Sequence, residues 1–227
     1  MTGAELVSLG LLGGVLGLDT VSFPQAMISR PLVACTIAAA FLGQPLAGLF
    51  LGAVVESFAL ETLPVGASRY PEWGAASVIG GALVARSPDW NEGTIVLALL
   101  ATLITGWFGG WSMVRLRQLN ARWARDRQDA LRAGDRRAVT GLQVHGLVAD
   151  LGRGMLVTMA AAAVAFPTVA YLDARWGMDP ILTRATLVAL AGIMAGAAAH
   201  KVFHGVSRTR WYFLVGGALG LVAVWPR

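Results

Sequence analysis

Charged residues are scarce in this sequence. Lysine, arginine, aspartate and glutamate make up 14% of the 227 residues, whereas hydrophobic residues make up 56%. A water-soluble domain carries about 25% charged residues. Together with a mean hydropathy of +0.63, this composition excludes a water-soluble globular protein. Since each membrane-spanning helix needs about 20 apolar residues, the length allows roughly six or seven membrane segments in one membrane-embedded domain over residues 1–227.

Cysteine and N-terminal basic residues are also scarce. The single Cys35 excludes an intrachain disulfide, and its apolar surroundings predict a small packing residue rather than a metal ligand. No basic residue precedes the first apolar run, whereas a cleavable secretory signal begins with a positively charged region. We therefore expect the first apolar segment to remain in the protein.

Four runs without Asp, Glu, Lys, Arg or His predict transmembrane helices. Residues 94–114 and 154–172 are long enough to cross a hydrocarbon layer of about 30 Å unaided. Residues 185–199 and 211–225 are shorter, so they need tilt, snorkelling flanks or partner helices. The sequence thus predicts an all-α polytopic membrane protein whose C-terminal helices occupy residues 146–227.

Positive charge is concentrated between two of these runs. Residues 115–137 include eight arginines and three aspartates, which accounts for the net charge of +5 of the whole chain. A basic connector of this kind marks the cytoplasmic side of a membrane protein, so nucleic-acid binding explains it poorly. Leu116, Leu119 and Trp123 predict an amphipathic helix on the membrane face within a basic cytoplasmic loop at 115–145, with a merely solvated connector as the alternative.

The N-terminal third, residues 1–90, carries shorter uncharged runs. Residues 6–18 and 73–85 are each too short to cross a bilayer alone. Broken backbone in hydrocarbon is tolerated only where protein or a watered cavity satisfies its polar groups, so short segments indicate a binding site. We therefore expect a binding site within residues 19–80.

A longer uncharged run, residues 31–55, contains a Gly-Gln-Pro sequence at positions 43–45. Proline removes a backbone donor and clashes with the preceding helical turn. The sequence therefore predicts two antiparallel or sharply bent pieces, 31–43 and 45–60. The expected fold class combines transmembrane helices with short broken or re-entrant helices in the N-terminal third.

Three acidic residues lie within or at the edges of apolar runs, where an ionisable side chain is costly unless it faces a cavity or a partner. Asp19 is either a functional residue or a helix cap, and Glu61 is either functional or interfacial. Glu56 follows a long uncharged run and favours a functional role, because carboxylates accept the paired hydrogen bonds that sugar hydroxyls donate. Arg30 is either a partner of such an acid or a snorkelling residue.

Signatures of catalysis and of metal binding are weak. His200 and His204 form an H-x3-H pair without a nearby Glu or Cys, so structural or interfacial histidines are favoured. The glycine clusters lie inside apolar runs, which is typical of close helix packing and not of a phosphate loop. An intramembrane hydrolase using Asp19 and Glu56 lacks a convincing nucleophile-base spacing. We expect no catalytic residue, no metal and no cofactor.

The segment RPLVACTIAAAFLGQPLAGLFLGAVVESFAL, residues 30–60, resembles the IIC components of mannose/fructose/sorbose-type permeases of the phosphotransferase system (PTS). These proteins carry RPL-[IV]-A-x-T, an LG-x4-G turn and a G-x3-E element in this order. The similarity continues into PVGASRYPEWGAAS, residues 64–77. It is looser around Gln143-Val144-His145 and Arg153, after the basic segment.

The resemblance implies a sugar-translocating subunit of a phosphoenolpyruvate-dependent system in the inner membrane of the cell. In this family, IIC pairs with a IID membrane subunit, and the pairs form trimers with an elevator-like core domain. Cytoplasmic IIA and IIB phosphocarriers relay phosphate to the incoming sugar. No phosphoryl-transfer residue is expected in this chain.

The resemblance also implies a set of sugar-binding positions. Carried over by motif, they are Asp19, Gln25, Glu56, Gly66, Ala67 and Ser68. Two alternatives stay open from the sequence: a sugar facilitator or sensor uncoupled from phosphotransfer, and a structural or accessory membrane subunit without a transport role of its own.

Overall fold

The computed structural model describes residues 1–60, 68–87, 92–175, 180–203 and 205–224. Within these ranges the chain forms nine helices and no strand, which confirms the predicted all-α fold. The helices are α1 (Gly3–Asp19), α2 (Pro31–Phe41), α3 (Pro45–Ala59), α4 (Trp73–Ala85), α5 (Glu92–Asp126), α6 (Gln128–Arg132), α7 (Arg136–Asp173), α8 (Pro180–Phe203) and α9 (Thr209–Val224).

Two helices are much longer than the rest. α5 has 35 residues and α7 has 38, so each extends for more than about 50 Å at 1.5 Å per residue. Gly93–Asp126 and Arg136–Leu172 are long and apolar enough to cross a membrane, by length and composition. They contain the predicted spans 94–114 and 154–172. Each helix exceeds the hydrocarbon thickness of about 30 Å and continues beyond it.

Leu116, Leu119 and Trp123 are helical, but their segment continues α5 instead of forming a helix of its own, and its place on the membrane face stays a prediction. α5 continues through Trp123 to its end at Asp126, and α7 starts already at Arg136. The ring of Trp123 meets the ring of His145 edge-on, with centroids 6.2 Å apart, across this helical hairpin. The basic part of α5 contains neither glycine nor proline, so nothing in the chain ends the helix at the membrane boundary.

The predicted break between 31–43 and 45–60 is confirmed. Gly43 has a φ of +81°, a left-handed conformation that glycine adopts without strain, and a proline begins α3. An ideal Cβ on Gly48 would lie 2.3 Å from the carbonyl oxygen of Cys35, and one on Gly52 would lie 2.8 Å from that of Pro31. α2 and α3 are therefore antiparallel and pack backbone against backbone. Cys35 in α2 is fully buried, in agreement with the predicted packing role.

α4 lies at the centre of the helical assembly. All of its residues, Trp73–Ala85, are buried, and it packs against α1, α2, α3, α5 and α7. An ideal Cβ on Gly74 would lie 2.3 Å from the backbone oxygen of Leu16, and one on Gly81 would lie 2.4 Å from that of Cys35. A helix that is apolar all round is stable when neighbours cover it completely, which explains how so short an uncharged segment is accommodated.

Three further helices contain or adjoin the remaining predicted runs. α1 packs against α7, and α8 packs against α3. The predicted run 185–199 lies within α8. α9 contains residues 211–224 of the predicted run 211–225. Residue 225 lies outside the described part of the chain.

Candidate functional site

Asp19 is the last residue of α1 and is 2% exposed. Its Oδ1 accepts a hydrogen bond from the backbone N–H of Ala26 at 2.6 Å, and its Oδ2 accepts one from that of Ser29 at 2.8 Å. The carboxylate thus organises the connection between α1 and α2, which we call the α1–α2 loop (residues 20–30). Asp19 does not cap the start of α2, where Arg30 occupies the cap position.

Gln25 lies in the middle of the α1–α2 loop and is exposed. Its Nε2 donates to the backbone oxygen of Val21 at 2.7 Å. Gln25 and Met27 have φ angles of 59° and 62°, in the left-handed region that residues other than glycine seldom adopt. Phe23 and Met27 are largely exposed. The loop therefore presents a mixed polar and apolar surface on a strained backbone.

Glu56, in the last turn of α3, forms an ion pair with Arg30. Arg30 Nη2 donates to Glu56 Oε1, and the two side chains are 27% and 20% exposed. Glu56 Oε2 also accepts a hydrogen bond from the backbone N–H of Leu32 at 3.2 Å. Of the two roles open to Arg30, pairing with an acid is the observed one. Asp19 bonds the backbone of Ser29, and the next residue, Arg30, bonds Glu56. Asp19 and Glu56 therefore both contact the α1–α2 loop, which contains Gln25.

The Gly66-Ala67-Ser68 turn is described in part. Gly66 and Ala67 lie outside the described residues, as does Glu61. The backbone oxygen of Ser68 accepts a hydrogen bond from Arg117 Nη1 of α5 at 2.9 Å. Arg117 also donates to the hydroxyl of Tyr70. This segment is therefore tied to the basic end of α5.

Glu72 is a buried carboxylate that sequence reasoning missed. It has no exposed surface, and both of its carboxylate oxygens accept from the backbone N–H of Ala75, at 3.1 and 3.2 Å. Its own N–H donates to the backbone oxygen of Gly106 in α5 at 2.9 Å. Glu72 thus caps α4 and fixes its start against α5. The available signal was its position directly before an uncharged run.

A second missed group joins the α1–α2 loop to the long helices. Asp150 Oδ1 accepts from Arg153 Nε at 2.8 Å within α7, and Asp150 Oδ2 accepts from the hydroxyl of Ser22. Arg153 Nη1 donates to the hydroxyl of Ser112 in α5 at 3.2 Å. The pairing of Asp150 with Arg153 can be recognised in the sequence, because opposite charges three residues apart lie on the same face of a helix. The contact of Asp150 with Ser22 in the loop cannot be recognised in this way.

These side chains suit a polar solute better than catalysis. Carboxylate, amide and hydroxyl groups surround the α1–α2 loop inside an otherwise apolar protein, and such groups exchange hydrogen bonds with a hydroxyl-rich ligand. Among the described residues, no three His, Cys, Asp or Glu side chains are grouped so as to hold a metal ion. The His200 and His204 pair falls partly outside the described residues.

Similarity to known proteins is found along most of the chain. A family model described as "PTS system sorbose-specific iic component" matches residues 4–194. The "Fructose permease IIC component" of Bacillus subtilis (strain 168) is 25% identical over 170 residues, which cover 74% of this chain and 61% of that protein. The "PTS system sorbose-specific EIIC component" of Lacticaseibacillus casei is 32% identical over 80 residues, which cover 35% of this chain and 28% of that protein.

Coverage of a third relative is similarly partial. The "PTS system mannose-specific EIIC component" of Escherichia coli (strain K12) is 29% identical over 99 residues, which cover 44% of this chain and 37% of that protein. The chain therefore aligns with less than two thirds of the length of these three curated relatives.

Two solved structures share the fold. One, titled "Structure of membrane protein", superposes with a TM-score of 0.71 and 19% identity, covering 100% of this chain and 89% of the other. The other, titled "CryoEM Structure of Mannose Transporter ManYZ and Microcin E492 (MceA) complex", has a TM-score of 0.62 with the same identity and coverage. At this identity the likeness shows the fold alone. Since the family model covers well over half of the chain, the chain belongs to the family of sorbose-specific IIC components of the phosphotransferase system and is an integral membrane protein.

Proposed function

We propose that this chain is the sugar-translocating IIC subunit of a mannose-type phosphotransferase system. It binds a hexose and moves it across the inner membrane, where a IIB phosphocarrier phosphorylates it. Membership of the IIC family supports the proposal. So do the names of the relatives, which are components for fructose, sorbose and mannose.

The observation that carries the proposal is the arrangement of polar groups around the α1–α2 loop. Asp19 accepts from Ala26 N–H, next to the exposed Gln25, and from Ser29 N–H, next to Arg30. Arg30 in turn pairs with the partly exposed Glu56. An intramembrane carboxylate is costly to keep, so a cluster of them next to broken helices supports a substrate site.

The candidate residues have different access to a ligand in this conformation. Gln25 and Glu56 have exposed surface, so each can bind a sugar hydroxyl directly. Asp19 is nearly inaccessible, and each of its oxygens already accepts a backbone hydrogen bond. Direct contact between Asp19 and sugar therefore requires the α1–α2 loop to move. Gly66, Ala67 and Ser68 remain proposed contacts by family motif.

The proposed partners follow from the proposed function. We expect a IID membrane subunit to pair with this chain, three such pairs to assemble, and cytoplasmic IIA and IIB proteins to supply the phosphoryl group. A relative of known fold is titled as the ManYZ transporter, which supports a two-subunit membrane complex. Copurification of a IID-like chain with the tagged full-length protein tests the pairing.

The experiment that tests the function is thermal unfolding of the purified membrane complex with fructose, sorbose or mannose added. A ligand that binds the folded state raises the unfolding temperature as its concentration rises. We expect one of the three sugars to do so. A structural or accessory subunit would show no shift with any of them. A shift without sugar phosphorylation by added IIA and IIB would identify an uncoupled facilitator or sensor.

A further inference from the structure

Four side chains connect the α1–α2 loop with the two long helices; two of them, Asp150 and Arg153, are buried. We call Ser22, Ser112, Asp150 and Arg153 the polar junction. Asp150 Oδ2 accepts a hydrogen bond from the Ser22 hydroxyl. Asp150 Oδ1 accepts one from Arg153 Nε at 2.8 Å. Arg153 reaches α5 through Ser112 Oγ at 3.2 Å. The junction therefore links a loop, α5 and α7 through side chains.

The charged half of the junction is held rigidly. The side chains of Asp150 and Arg153 are 3% and 8% exposed, and buried charges persist only when they are paired and hydrogen-bonded. Each member fixes the other through the i, i+3 geometry of α7. Asp150 Oδ2 thus stands at a defined position facing the loop, where it accepts the Ser22 hydroxyl.

The α1–α2 loop needs such an anchor. Gln25 and Met27 have positive φ angles of 59° and 62°, which residues other than glycine keep only when the surroundings enforce them. In the second half of the loop, the backbone N–H groups of Ala26 and Ser29 donate hydrogen bonds to Asp19. In the first half, the Ser22 hydroxyl donates a hydrogen bond to Asp150.

The guanidinium of Arg153 also lies near a second carboxylate. An ideal Cβ on Gly17 would lie 3.4 Å from Glu72 Oε1 and 3.6 Å from Arg153 Nη2. Because Asp150 and Glu72 both lie near Arg153, opposite charge surrounds the buried guanidinium and favours its fixed position.

We propose that Asp150, held in place by Arg153, is a positioning residue that fixes the α1–α2 loop, and with it Gln25, for sugar binding. The inference rests on the proposed function. Asp150 acts through the Ser22 hydroxyl and makes no contact with the sugar itself. Loss of this hydrogen bond releases the first half of the loop and weakens sugar binding, while the helices around the junction remain packed.

The test compares sugar affinity and unfolding temperature in the purified membrane complex. The probes are fructose, sorbose and mannose, each titrated separately. Ser22→Ala removes the loop side of the contact, and Ser22→Thr keeps the hydroxyl. Thr168→Val is the matched control, because it removes a hydroxyl on α7 that donates to Val164 O within the same helix. Asp150→Asn, alone and combined with Ser22→Ala, measures the coupling between the two partners.

We expect Ser22→Ala to raise the dissociation constant about three- to tenfold, less than the full value of a hydrogen bond to a charged group, because the lost bond holds the loop and does not contact the sugar. Its unfolding temperature without sugar should equal that of Thr168→Val. Ser22→Thr should recover most of the affinity. In the Asp150→Asn background, Ser22→Ala should have no further effect.

Three results would overturn the proposal. The first is a sugar affinity of Ser22→Ala equal to that of Thr168→Val. The second is an unfolding temperature of Ser22→Ala that is lowered while its sugar affinity is unchanged. The third is a wild-type complex that binds none of the three sugars, which removes the proposed function and this inference together.

If Asp150→Asn does not assemble, the comparison of Ser22→Ala, Ser22→Thr and Thr168→Val decides by itself. Binding by wild type with no loss in Ser22→Ala removes this inference alone.

Discussion

The guanidinium of Arg30 donates to Oε1 of Glu56 and so joins the start of α2 to the last turn of α3. Oε2 of the same carboxylate accepts from Leu32 N–H at 3.2 Å, which serves one of the N–H groups that a helix start leaves without an intrahelical partner. Because α2 and α3 are antiparallel, this contact closes their open end, opposite the turn at Gly43. A sugar that binds here must share the carboxylate with the protein.

Glu56→Gln should weaken sugar binding about tenfold while the complex still assembles. Glutamine keeps the size and one acceptor oxygen but loses the charge. A hydrogen bond to a charged group contributes about 1.5–3 kcal/mol and a neutral one about 0.5–1.5 kcal/mol, so the loss is roughly 1–2 kcal/mol. At about 1.4 kcal/mol per tenfold change, this corresponds to one order of magnitude. Titration of the purified complex with sugar measures it.

Arg30→Gln is the control for that prediction, because it breaks the same ion pair and leaves the Glu56 carboxylate in place. If the pair serves only the fold, both variants should lose assembly to a similar extent, because each leaves one member of a partly exposed ion pair without its partner; the cost lies below the value of about 3–5 kcal/mol for a fully buried pair. Normal assembly of Glu56→Gln with unchanged sugar affinity would refute the ligand assignment.

Glu72→Ala should lower the apparent free energy of unfolding by about 0.5–2 kcal/mol, the usual cost of losing a helix N-cap. Glu72→Gln should lose less, because the amide oxygen still accepts from Ala75 N–H. Thermal unfolding of the purified protein in detergent measures both. Equal losses in the two variants would show that the charge of Glu72, and not its capping oxygen, stabilises the protein.

Gly48→Ala should destabilise the α2–α3 pair by about 1–3 kcal/mol, the usual cost of overpacking. Its new methyl group would lie 2.3 Å from the backbone oxygen of Cys35, and only a shift of one helix relieves this clash. The control is Gly192→Ala in α8, where an added Cβ meets nothing within 4 Å; there the better helix propensity of alanine applies. Similar unfolding temperatures for the two variants would contradict the close backbone packing.

A cysteine introduced at Gln128 should be protected from a membrane-impermeant thiol reagent in intact cells, because the concentration of positive charge predicts that the basic hairpin around α6 faces the cytoplasm. Native Cys35 is fully buried and gives little background. Labelling of Gln128→Cys from outside, without permeabilisation, would reverse the predicted orientation.

Gly3→Cys is the matched positive control. Arg86 forms an ion pair with Glu5 at 2.8 Å and stacks over the Phe166 ring at 5.1 Å. The start of α1 therefore lies near the later part of α7, far from α6. Since α7 is long enough to cross the membrane, the reagent should reach Gly3→Cys from outside.

The sequence by itself determined the features that depend on local chain chemistry. Pro45 and Gly43 end one helix and start the next, because proline lacks a backbone donor and glycine accepts a positive φ. The uncharged runs indicated which segments are helical, including the 13-residue α4. Long apolar runs without a compensating polar pattern have few alternatives to membrane helices.

Only the tertiary structure decided how the polar residues combine. Ser22 and Asp150 are 128 positions apart, and their contact exists because α1 packs against α7. Likewise, the pairing of Arg30 with Glu56 follows from the antiparallel packing of α2 and α3. The unbroken course of α5 through the basic segment was missed, because a charged surface pattern does not distinguish a helix on a membrane from one that leaves it. Side-chain contacts between distant segments depend on packing geometry, which local sequence patterns do not encode.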